Sequence, residues 1–169
     1  MIVDQPIAIA GAGTIGCFVG GQLAAAGRDV RLLARRRVIE EIKANGLRLT
    51  GFDGLNRTVA ISQLRLSEEP AIMNDVGVVL VTVKSADSAD IAGLIVEHVP
   101  SAAIIVSLQN GVGNAALLRE RLPGRRVLGG MVPFNVVAAG SGQFHRATSG
   151  DIVIERMTQP SESNSRYPA

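Results

Sequence analysis

At 169 residues, 47 % hydrophobic and 19 % charged, the chain has the size of one principal domain and enough apolar side chains to offset the entropy of folding, which excludes a second full domain within it and wholesale disorder. A formal charge of +2, with basic residues interspersed among acidic ones and only 3 % aromatics, argues against a nucleic-acid surface, which wants a basic face and often stacking rings. The lone Cys17 rules out an internal disulfide, no apolar run approaches the roughly 20 residues that cross a bilayer, and no basic-then-apolar leader precedes the first strand, so a cytoplasmic, non-membrane protein is expected.

Along the chain, Pro6 to Ala10 is a short apolar run that stops at a glycine cluster, and Ile15 to Ala26 is apolar and helix-compatible. Gly27 ends that helix and Val30 to Ala34 restarts a strand, so the first thirty-odd residues form a βαβ unit. Val38, Ile39 and Ile42 recur at helical spacing before the stop signal Asn45-Gly46. Leu47–Thr50 and Thr58–Ser62 are predicted strands joined across Gly51-Phe52-Asp53-Gly54. The run from Gly77 to Val83 is apolar on both faces, as in a parallel sheet covered on each side, and a helix over 86–98 would cover it. Further on, 103–108 is a predicted strand, 114–122 a helix and 127–131 a strand. This alternation predicts an α/β fold with a Rossmann-type doubly wound parallel sheet. Beyond Pro133, the segments 134–139, 143–147 and 151–155 are predicted strands without helices between them, expected to form a short antiparallel extension at one edge of the sheet. Residues 1–156 would then be one dinucleotide-binding domain and 157–169 a polar, disordered tail.

The glycine cluster carries the first chemical signal. Gly11, Gly13 and Gly16 form Gly-Ala-Gly-Thr-Ile-Gly between the first strand and first helix. In dinucleotide folds the first such glycine permits the tight turn, the second lets backbone approach a pyrophosphate, and the third lets helix and strand pack closely. Gly11, Ala12, Gly13, Thr14, Ile15 and Gly16 are therefore candidate cofactor-binding residues, at a helix end whose dipole favours an anion. An NAD site would place an acidic residue at the end of the second strand, about 20 residues on. Here Ala34 is followed by Arg35, Arg36 and Arg37. Guanidinium groups there suit a ribose 2′-phosphate, no neighbouring carboxylate in the sequence opposes it, and basic residues are otherwise disfavoured at a helix start, so the cofactor is expected to be NADP.

Lys84 directly follows the buried strand, at the sheet edge where open α/β folds bind ligands, although any lysine can snorkel from a strand end. Asn110 holds the same place after the next strand; its amide suits a nicotinamide carboxamide or a carbonyl substrate, and Asn-Gly is equally a turn pair. Cys17 fits a small buried core residue better than a reactive thiol, and His98 and His145 are isolated, so no metal site is expected.

Taken together, the glycine fingerprint, the arginine ending Val-Arg-Leu-Leu-Ala-Arg, Thr-Val-Lys-Ser at 82–85 and Leu-Gln-Asn-Gly-Val-Gly-Asn at 108–114 resemble the pattern of the ketopantoate reductase (2-dehydropantoate 2-reductase) family. The segment 142–150 looks like that family's hairpin, and the resemblance covers about residues 5–156. It implies that Arg35 contacts the 2′-phosphate, Lys84 lies beside the cofactor and Asn110 lies where nicotinamide and substrate meet. The family's backbone contact to the cofactor near Phe134 is poorly matched and is not carried over. Family members also continue into an all-helical domain bearing the catalytic lysine. Neither Lys43 nor Lys84 matches that lysine, so no proton donor is named and the helical half is expected to be absent.

The implied function is NADPH-dependent reduction of a small 2-keto acid, 2-dehydropantoate to pantoate in pantothenate synthesis, with this chain as the cofactor-binding half. The alternatives are a non-catalytic NADP-binding module or truncated product, and a related Rossmann hydroxy-acid dehydrogenase. A homo-oligomer, or a partner covering the exposed cleft face, is a further expectation.

Overall fold

A computed structural model describes residues 5–111 and 113–157. Its strands are β1 (Ile7–Ala10), β2 (Val30–Leu33), β3 (Leu47–Gly51), β4 (Asn56–Val59), β5 (Leu64–Ser67), β6 (Val78–Val81), β7 (Ile104–Ser107), β8 (Arg126–Met131), β9 (Val136–Gly140), β10 (Gln143–Arg146) and β11 (Val153–Ile154). The helices are α1 (Thr14–Ala25), α2 (Arg36–Asn45), α3 (Ser88–His98) and α4 (Asn114–Arg121). The disordered tail expected over 157–169 lies, from Thr158 on, outside the described residues.

The main sheet has seven strands in the order β11-β8-β7-β6-β1-β2-β5, all parallel except β11. Its chain alternates faces with the period of two that pleating imposes. Ile9, Leu32, Leu80 and Val106 point to one core, against Cys17 and Phe18 of α1. Ala8, Ala10, Val79, Val81 and Ile105 point to the other, against Ile91 and Ile95 of α3 and Leu118 of α4. Because β1 lies between β2 and β6, the strand order reverses there and a crevice opens beyond the carboxyl ends of the strands, the place where such sheets take ligands.

α1 is apolar around most of its circumference because it is covered on two sides. Beyond the main sheet it meets a second, four-stranded sheet in the order β4-β3-β10-β9, in which β3 and β10 are parallel. Leu47, Leu49, Val59 and Phe144 of that sheet belong to the same core as α1. The chain leaves α1 through Gly27 (φ +82°) and α2 through Gly46 (φ +77°), left-handed positions that glycine takes without strain.

Three sequence expectations shift. The strand expected over 58–62 ends at Val59, because Ala60 turns the chain, its N–H donating to Gln63 Oε1 at 3.0 Å. β5, unassigned by the sequence reading, lies beside β2 at the sheet's far edge, opposite β11. Of the strands expected at one sheet edge beyond Pro133, only β11 lies there, pairing antiparallel with β8; β9 and β10 join β3 and β4 instead. Phe144 is the anchor, opposite Leu49 and buried in the α1 core. The α/β class and the doubly wound parallel sheet stand unchanged.

Candidate functional site

A cleft of about 490 Å³ opens where β1, β2 and β6 end, lined by Gly11 to Gly13, by Leu33 to Arg35 with Arg37, by Glu68, and by Thr82 to Lys84 with Asp87. Each wall follows from the local chain. Gly11 has φ +91°, and a Cβ there would collide with the Val83 side chain, so only glycine can make the turn out of β1. Gly13 has nothing within 4 Å of where its Cβ would be. Gly16 is buried behind the loop, its missing Cβ leaving room for Thr82 Oγ1 at 2.6 Å and Ile9 at 2.9 Å. The loop is held at both ends: Ala12 N donates to Leu33 O at 2.9 Å, and Thr82 Oγ1 donates to Gly11 O at 2.8 Å. No side chain caps α1 and its first turn carries no acidic residue, so the N–H groups of Thr14, Ile15 and Gly16 keep the anion-attracting character of an open helix start.

At the other end of the cleft the three arginines part company. Arg36 Nε donates to Glu68 at 3.1 Å, which raises the arginine's pKa further above its ordinary value, chiefly through that hydrogen bond. Arg37 pairs with Glu41 one helical turn on, at 3.9 Å. Arg35, the residue preceding α2, is exposed and has no ion pair among the described residues. Lys84 lines the same cleft from beyond β6, and its carbonyl accepts from Asp87 N at 2.9 Å, closing the turn that leads into α3.

Asn110 does not line this cleft. It sits next door, exposed beyond β7, with its carbonyl accepting from Ser85 Oγ at 3.3 Å and Asn114 Nδ2 at 3.0 Å. Beside it a second hollow of about 360 Å³ is lined by Gln109, Gly111 and Asn114 and by Gly129 and Gly130 of β8. Gln109 links the two hollows. Its buried amide nitrogen donates to Val83 O at 3.0 Å and to Ser88 Oγ at 2.7 Å, and its oxygen accepts from Ser107 Oγ at 3.2 Å. The amide is thus committed, and it fixes the segment carrying Lys84 against the end of β7.

Sequence reading missed Glu68, Thr82 and Gln109. The latter two stand inside the motifs already singled out, so their place at strand ends was a usable signal; Glu68 gave none, because its strand was not recognised. Cys17 is wholly buried, its thiol donating to Ala12 O at 3.4 Å, and burial foremost, with Glu41 second, pushes it up to about 12. It is a core side chain, not a nucleophile. His98 lies beside Glu97, and His145 shares a hydrogen bond with Thr50 in the second sheet. Among the described residues no three His, Cys, Asp or Glu side chains come together as a metal site, and no helix is long and apolar enough to cross a membrane.

The family model described as ketopantoate reductase PanE/ApbA matches residues 7–159. The chain belongs to the ketopantoate reductase family. Among its curated relatives, a 2-dehydropantoate 2-reductase of Halobacterium salinarum is 31 % identical over 89 % of this chain and 48 % of its own length. One of Archaeoglobus fulgidus is 34 % identical over 82 % of this chain and 45 % of its own length. The crystal structure of a PanE/ApbA family ketopantoate reductase from Ralstonia eutropha JMP134 superposes with a TM-score of 0.82 at 35 % identity, over 91 % of this chain and 50 % of the other. The chain therefore spans about half the length of the ketopantoate reductases it matches.

Proposed function

We propose that this chain is the NADP-binding half of a cytoplasmic reductase of small 2-keto acids, with 2-dehydropantoate the substrate that the names of its relatives suggest. The observation that carries the reading is the cleft itself, which joins the Gly11–Gly13 loop, Arg35 and Lys84 at the strand-order reversal. A dinucleotide fits the residues present. The open space at Gly13 lets a pyrophosphate reach the backbone N–H groups at the start of α1. Arg35, without a carboxylate partner, would hold the 2′-phosphate through charge-assisted hydrogen bonds. Lys84 would lie along the cofactor, and Asn110, beside the neighbouring hollow, would offer its amide to the nicotinamide and the substrate carbonyl. Bound NADPH supplies the hydride; these side chains bind and orient.

The test is calorimetric titration of the chain with NADPH and NADH. NADPH is expected to bind at least tenfold tighter, since a hydrogen bond to a charged group contributes more than about 1.4 kcal/mol. Arg35→Ala should cut that preference more than Arg37→Ala, because Glu41 already engages Arg37. Equal affinities, or a larger loss from Arg37→Ala, would overturn the assignment.

A further inference from the structure

The end of the cleft that holds Arg35 also holds a carboxylate that is distant in sequence. β5 runs parallel to β2 with Ser67 opposite Leu33, and Ala34 N donates to Ser67 O at 3.0 Å. That register sets Glu68 beside Arg35 at the same sheet edge, with Glu68 and Arg35 both lining the cleft. Ser67 Oγ accepts from Glu69 N at 2.9 Å, which fixes the turn out of β5. The Glu68 side chain is 44 % exposed, and its carboxylate takes the Arg36 guanidinium at 3.1 Å.

We propose that Glu68 is a specificity-determining residue of this cleft, one that restrains the preference for NADPH over NADH set by Arg35. The inference rests on the cofactor reading above. Two physical effects act in the same direction. A phosphate monoester carries roughly −1.5 to −2 charge at neutral pH, so a carboxylate lining its site opposes it. The same carboxylate also holds Nε of Arg36, the second arginine of the run, and so competes with the phosphate for that guanidinium. NADH presents ribose hydroxyls instead, for which a carboxylate is the ordinary acceptor. One side chain thus penalises the phosphate and favours the diol.

Glu68→Gln keeps the shape and removes the charge. Titrated with NADPH and with NADH at fixed ionic strength, this variant should show an NADPH-to-NADH affinity ratio at least threefold above the parent, with NADPH binding tightened and NADH binding unchanged or weakened. Glu68→Ala should move the ratio the same way. Thermal unfolding of both variants checks that the fold is retained, which the exposed position of Glu68 leads one to expect. A ratio within twofold of the parent in both variants, or a lowered one, overturns the proposal. Arg35→Ala, titrated in parallel, separates the two ideas. If it leaves the ratio intact, the cofactor reading at Arg35 fails; if it collapses the ratio while both Glu68 variants do not change it, only the role of Glu68 fails.

Discussion

Gly11 and Gly13 stand two residues apart, and substitution should cost the fold at the first but not at the second. At Gly13 the backbone has φ −85°, accessible to any residue, and a Cβ would meet no atom within 4 Å. Gly13→Val should therefore leave the thermal midpoint almost unchanged while reducing NADPH affinity at least a hundredfold, because the side chain would fill the space through which backbone meets pyrophosphate. Gly11→Val should lose binding and fold together, since φ +91° and the Val83 side chain both oppose a Cβ. Calorimetry paired with thermal melts separates the two, and retained NADPH affinity in a folded Gly13→Val chain would sink the glycine-loop assignment. The places of both glycines in the turn between β1 and α1 were legible in the sequence because strand, turn and helix are contiguous there. Arg35 was legible for the same reason. Glu68 was not: it comes to the same end of the cleft as Arg35 only through the pairing of β2 with β5, a contact between residues more than thirty positions apart.

The elements depend on α1 more than on any other helix, since it is wedged between two sheets. Gly20 faces the main sheet, where a Cβ would meet Leu32 at 2.7 Å and Ile9 at 2.9 Å; Gly21 faces the second sheet, meeting Leu47 at 2.8 Å and Leu49 at 3.0 Å. Gly21→Val is expected to overpack this seam and cost about 1–3 kcal/mol in denaturant unfolding, with NADPH affinity little changed in the folded fraction because the cleft lies at the other end of the helix. A stability loss below about 0.5 kcal/mol, the usual range for surface substitutions, would show that the seam yields. The alternation of strands and helices was legible because central parallel strands such as β6 and β7 are continuous apolar runs. Two things were not. β5 is a four-residue edge strand, Leu-Arg-Leu-Ser, too short and too mixed to stand out. The destination of β9 and β10 depends on Phe144 finding Leu49 across almost the whole chain, and local pattern carries no record of such pairing.

For the whole molecule, the decisive quantity is turnover. Reducing a carbonyl needs a hydride donor held in register and an acid that protonates the developing alkoxide, and positioned acid catalysis alone contributes about 10²–10⁴-fold. The titratable side chains lining the cleft are Arg35, Arg37, Glu68, Lys84 and Asp87. The first three sit at the end proposed for the ribose, and Asp87 closes the turn into α3, which leaves Lys84 as the one cationic group beside the proposed nicotinamide end. On the proposed reading Lys84 binds and orients the cofactor, and the ketopantoate reductases this chain resembles are about twice its length. The chain of 169 residues, saturated with NADPH, is therefore expected to reduce 2-dehydropantoate at least a hundredfold more slowly than a full-length ketopantoate reductase assayed in parallel by NADPH absorbance. Lys84→Met should then weaken NADPH binding without changing that residual rate at saturation. Turnover within tenfold of the full-length enzyme, lost in Lys84→Met while NADPH still binds, would instead make Lys84 the acid and these residues a complete catalyst.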